Sequence, residues 1–200
     1  KDTLVDLHTK PGSPAARLAY DEALAGQVAL AVLRANRTAA KGPYLAGNGE
    51  LRKALLAALP FEPTNDQTQA IAAISAQIKG PNQAMTLIQG DVGSGKTLVA
   101  LILMLQAVEA NFQAALMAPT EILARQHAQT LSNLCRDLPI KVVCLTGKDK
   151  GASRRALARE IERGTAQLVI GTHALFQEGV TFDKVGLVVI DEQHRFGVEQ

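Results

Sequence analysis

Gly90-Asp91-Val92-Gly93-Ser94-Gly95-Lys96-Thr97 decides the fold. The stretch satisfies G-x-x-x-x-G-K followed by Ser or Thr, and it stands between an apolar run, Met85–Gln89, and an amphipathic segment, Leu98–Ala110. Strand, glycine loop and helix in that order form an anion nest. The glycines let backbone N–H groups turn inward at the start of the helix, where the helix dipole also favours negative charge. The whole loop, Gly90, Asp91, Val92, Gly93, Ser94, Gly95, Lys96 and Thr97, is therefore expected to hold a nucleotide. Lys96 would sit against the β- and γ-phosphates, and Thr97 would offer its hydroxyl to Mg²⁺. ATP and Mg²⁺ are the expected cofactors.

Downstream, Leu187-Val188-Val189-Ile190-Asp191-Glu192 runs four apolar residues into two carboxylates. This pattern predicts a fully buried strand of a parallel sheet, opening at the edge where ligands bind in α/β folds. Asp191 is then a metal ligand through water, and Glu192 the general base that polarises the attacking water. An acidic pair merely ending a strand is the alternative; the upstream glycine loop favours the chemical reading.

Between the two motifs, the runs Ala114–Ala118, Lys141–Leu145 and Leu168–Gly171 read as strands, and helices begin near Lys96, Thr120 and Ser153. Alternation at this spacing means βαβ units and a parallel sheet, so the class is α/β. Upstream, Thr64 is placed to cap a helix through Ile78, which Gly80-Pro81 stops, and Glu50–Leu59 reads as a short helix. Ala15 to Ala40 has the composition of a long amphipathic helix behind a Pro- and Gly-containing tail, which divides the chain into a connector, 1–59, and a main domain, 60–200.

Composition narrows the class further. Of 200 residues, 47% are hydrophobic and 20% charged, the balance of a soluble globular domain, and the net charge of +2 creates no overall field for a polyanion. Any nucleic-acid contact must come from a local surface. Cys135 and Cys144 lack CxxC spacing, which favours small buried side chains over a disulfide or metal site and fits a reducing, cytoplasmic setting. The apolar runs are too short to cross a bilayer. A chain that starts at Lys1 and ends at Gln200, shortly after the acidic motif, reads as a fragment truncated at its C-terminus.

Gly90–Thr97 taken with Asp191-Glu192-Gln193-His194-Arg195-Phe196-Gly197 resembles the RecG family of bacterial superfamily 2 DNA helicases. Gln193 separates the stretch from the transcription-repair coupling translocases, which carry Glu there. The resemblance implies a RecA-like P-loop NTPase lobe behind a helical linker, with Arg17–Arg34 in the place of that linker. It also implies an ATP-driven bacterial motor that remodels branched or forked duplex DNA by gripping its backbone. By the same resemblance, Phe61, at the entry to the lobe, and Gln67, in Thr64-Asn65-Asp66-Gln67, belong to the nucleotide site, with Gln67 reading the adenine edge. Ala118–His127 matches the motif in which a strand end and helix N-terminus bind a phosphate of the tracked strand, with Thr120 and Arg125 as contacts. Thr146-Gly147-Lys148 and Gly171-Thr172-His173-Ala174-Leu175 match two further backbone-gripping loops, represented by Gly147, Thr172 and His173. His194 and Arg195 would relay nucleotide state. The family implies a second motor lobe with arginine fingers and a wedge domain, neither of which is in this sequence. Arg154, Arg155, Arg159 and Arg163 form, at helical spacing, either a solvated face or a further DNA-backbone contact. The competing readings are a transcription-repair coupling type translocase and a non-motor P-loop switch or kinase.

Overall fold

A computed structural model of the chain describes Leu24, Val28 and residues 40–177 and 179–192. Leu24 and Val28 are helical and exposed; otherwise the expected tail and long helix, and Gln193 to Gly197 with His194 and Arg195, lie outside the described residues. The chain divides into two units, Lys1–Lys41 and Gly42–Gln200. The second runs α1 (Glu50–Ala58), α2 (Asn65–Ile78), α3 (Lys96–Glu109), β1 (Gln113–Met117), α4 (Glu121–Leu134), β2 (Val142–Leu145), α5 (Gly151–Glu162), β3 (Leu168–Gly171), a short 3₁₀ turn (His173–Phe176) and β4 (Val185–Ile190).

The four strands form one sheet in the order β2-β3-β1-β4, and every pairing is parallel. Leu145, Gly171, Met117 and Ile190 fall in register, so all four strands end along a single edge. One sheet face, carrying Ala114, Leu116, Leu168, Ile170, Leu187 and Val189, packs into the main core with α1 to α4. The other face carries Val143 and Val169 and meets Ile161 of α5.

Local chemistry explains the elements. Thr64 and Gln67 make a reciprocal capping box at the start of α2, each side chain bonding the other's backbone N–H. α1 has no cap of its own, since Gly49 takes a left-handed turn with φ +82°. Glu50 N–H donates to Asn48 Oδ1 at 3.1 Å, and the Glu109 carboxylate at the far end of α3 accepts from Gly49 at 2.8 Å and Leu51 at 2.6 Å. An anion at a helix N-terminus is stabilising, so Glu109 ties α1 onto α3.

Three expectations change. Met85–Gln89 is not one of the strands: residues 83–90 run outside the sheet, with Met85 74% and Leu87 69% exposed. Apolar composition suits a strand, but only ladder partners make one. β4 is an edge strand and not fully buried; Leu187 and Val189 pack into the core, whereas Val188 and Ile190 are 43% and 48% exposed. Successive side chains alternate faces, and α5 covers the second face only over β2 and β3. Lastly, α3 is buried all round from Leu98 to Leu105 and not amphipathic, because α1 and α2 pack against it opposite the sheet.

Both cysteines are free thiols. Burial pushes the Cys135 thiol up to about 11, and burial also raises Cys144 against the opposing pull of the Arg125 charge.

Gly171 closes β3 where a side chain has no room. A Cβ there would collide with the backbone carbonyl of Leu145 and come within 2.8 Å of the Leu175 side chain. Gly171→Ala is expected to destabilise the fold by about 1–3 kcal/mol. The measurement is the urea midpoint at unchanged slope; an unmoved midpoint would show that β2 and β3 separate at little cost.

Candidate functional site

The glycine loop is built for an anion. Gly93 and Gly95 sit at φ +82° and +78°, left-handed values that a side chain would strain, and α3 starts behind Gly95 with no side-chain cap on its first N–H groups. Those donors are left for a ligand. Lys96 Nζ closes the loop from within, donating to the carbonyls of Gly90 and Asp91 at 2.7 Å each. Gln67 braces it from outside: Nε2 donates to the Ser94 carbonyl at 2.8 Å while Oε1 accepts from Thr64 N–H. Phe61 is exposed between α1 and α2.

α3 returns through residues 110–112 directly into β1 and packs along β1 and β4. A helix so joined runs back along its strand, which turns its N-terminus, and with it Lys96 and Thr97, toward the edge where the strands end. Asp191 and Glu192 follow β4 at that edge. The Asp191 N–H donates to the Met117 carbonyl at 2.9 Å, extending the ladder by one residue. Glu192 then takes φ +48°, a conformation uncommon for a residue with a side chain and often met where function imposes it.

The other loops follow the neighbouring strands. Thr120 caps α4, its Oγ1 accepting from Leu123 N–H at 3.3 Å. Arg125 Nη2 donates to Thr146 Oγ1 at 3.2 Å and lies 3.9 Å from Asp149 Oδ1. Lys148 Nζ is 3.1 Å from Glu121 Oε2, so the start of α4 and the loop holding Gly147 are clasped together. Thr172 is buried and its Oγ1 accepts from Ala174 N–H, while His173 is exposed. Arg154 donates to the Ala174 carbonyl at 3.5 Å; Arg155, Arg159 and Arg163 are exposed, which suits a solvated face and a DNA-backbone contact alike.

One contact has no sequence signal. His127, in the second turn of α4, places Nε2 2.7 Å from Asp191 Oδ2. Sequence pattern puts His127 inside a helix motif but gives no hint of a partner 64 residues away.

Thr97 and Asp191 supply oxygen donors, the chemistry Mg²⁺ prefers. Among the described residues no cluster of three or more His, Cys, Asp or Glu side chains forms an all-protein metal cage.

A parallel sheet with a glycine loop and a strand-end carboxylate pair defines a P-loop NTPase lobe. Residues 64–200 match the DEAD/DEAH box helicase family, and the chain belongs to it. Within that family the chain is similar to the ATP-dependent DNA helicase RecG. It is 47% identical to RecG of an Escherichia coli strain, over 98% of this chain and 28% of that one. With RecG of Haemophilus influenzae the identity is 46%, over 92% and 27%. The solved structure of RecG bound to a three-way DNA junction matches 90% of this chain and 25% of that chain, at TM-score 0.82 and 40% identity. A hypothetical ATP-dependent RNA helicase from Sulfolobus tokodaii, matched at TM-score 0.54 and 20% identity over 72% of this chain and 40% of that one, shares the fold. The chain thus spans about a quarter of the length of the curated relatives it matches. The RecA-like class and the resemblance to the RecG family are borne out, and a helicase lobe of this kind uses ATP.

Proposed function

We propose that the complete protein is an ATP-driven DNA helicase of the RecG type, acting on branched or forked duplex DNA in the bacterial cytoplasm. Residues 60–200 are its ATP-binding lobe and residues 1–59 the connector, of which α1 packs against α3. Lys96 neutralises the β- and γ-phosphates, Thr97 and Asp191 hold Mg²⁺, and Glu192 polarises the attacking water. Bound Mg²⁺ supplies charge neutralisation and orients the phosphates. Phe61 and Gln67 lie on the adenine side, with Gln67 also bracing the loop. Thr120, Arg125, Gly147, Thr172 and His173 form the DNA track. The second motor lobe and the wedge belong to the longer protein. No described helix is long and apolar enough to cross a membrane.

One observation carries this reading: the loops with Thr120, Thr146-Gly147 and Thr172 follow three adjacent parallel strands, beside the strand that ends at Asp191. A nucleotide switch or kinase has no use for a row of helix-start and loop amides beside its metal site. Phosphate contacts of this kind grip a backbone without reading bases.

Thr120→Ala combined with Thr172→Val in the complete protein tests it. Affinity for forked DNA and the DNA-stimulated part of ATP hydrolysis are expected to fall roughly tenfold or more, the worth of a hydrogen bond to a charged group. Stimulated hydrolysis at the wild-type level would favour the non-motor reading.

A further inference from the structure

His127 joins α4, which begins at Thr120, to Asp191 at the end of β4. Its Nε2 lies 2.7 Å from Asp191 Oδ2, and the two side chains are only 16% and 32% exposed, so water competes weakly for the bond. A carboxylate accepts and does not donate, so Nε2 carries the proton. The bond holds one carboxylate oxygen and leaves Oδ1 available to a metal's water shell, the kind of outer support that orients ligands at metal sites.

The element that presents His127 is equally telling. α4 begins at Thr120, and its first turns are clasped to the β2 loop through Glu121–Lys148 and through Arg125 with Thr146 and Asp149. Two residues beyond Arg125, the same helix is fastened to Asp191. A helix is stiff along its axis, so a displacement of its first turn is carried to His127 with little loss. We infer that His127 is a positioning residue through which DNA engaged at the start of α4 changes the set of Asp191, and thereby the affinity for the magnesium nucleotide. The inference rests on the proposed function, because it takes the start of α4 to touch DNA and Asp191 to serve Mg²⁺. Linkage makes the coupling reciprocal: DNA changes nucleotide affinity by the same factor as nucleotide changes DNA affinity.

The complete protein provides the test, with wild type, His127→Leu, His127→Gln and His127→Asn compared. Binding of a fluorescent ADP with Mg²⁺ is measured with and without forked DNA, beside ATP hydrolysis at the same DNA concentrations. In the wild type, DNA is expected to shift Mg-ADP affinity by about tenfold, within the usual range of coupling between sites. His127→Leu should erase most of that shift. The amide nitrogen of Gln reaches the place of Nε2, so His127→Gln should retain it, whereas Asn is too short and should lose it. Full DNA dependence in His127→Leu overturns the inference, as does a His127→Gln protein as uncoupled as His127→Leu. Should His127→Leu not fold, the Gln and Asn variants decide alone, because both are polar and only one reaches. A wild type whose hydrolysis ignores DNA defeats the proposed function itself, which separates that failure from failure of the relay.

Discussion

Glu192→Gln in the complete protein is expected to lower ATP turnover by about 10²–10⁴-fold, the contribution of a positioned general base. The change is nearly isosteric and removes the negative charge together with the ability to take a proton. Glu192 stands one residue beyond the ladder bond that anchors Asp191 to Met117, and its left-handed backbone turns the chain at the point where the strand ends. Nucleotide binding should persist, because the phosphate loop and Asp191 are untouched. Phosphate release under saturating ATP, together with binding of labelled ATP, reads the two effects apart. Turnover near the wild-type rate would remove Glu192 from the chemistry.

Lys96→Ala acts on both steps. The ammonium lies 2.7 Å from two loop carbonyls, in the middle of the nest, where it meets the charge of the β- and γ-phosphates in bound and transition states alike. Its loss is expected to cut turnover by about 10²–10³-fold, the worth of one preorganised electrostatic donor. Affinity for ATP should fall with it, in contrast to Glu192→Gln. Gly90 and Asp91 are exposed, so their freed carbonyls turn to water and stability should change by no more than about 0.5 kcal/mol. A circular dichroism melt checks the fold, and equilibrium binding of labelled ATP checks affinity. Unchanged affinity would place the nucleotide elsewhere.

Much of this was legible before any coordinates. The glycine loop has one backbone solution that places donors around an anion, so its pattern specifies local geometry directly. Thr64 announced a helix start because an N-cap needs only its own neighbours; that Gln67 completes a capping box came with the structure. The β1, β2 and β3 runs, bounded by helix-forming stretches, predicted a parallel sheet, since a short connection through a helix permits little else.

Other features depend on residues far away in sequence. Met85–Gln89 has the composition of a strand, yet strand formation is a property of two chains, and ladder partners are invisible in one run. The half-exposed state of β4 follows from which strands α5 happens to cover, and the all-round burial of α3 from where α1 and α2 land. Glu109 at the start of α1 and His127 at Asp191 are bonds across 58 to 64 residues. Sequence patterns report what a segment does with its own neighbours, through backbone torsion, capping and periodic burial. Which distant side chains meet is set by packing the finished elements, and that is where Asp191 acquired its histidine.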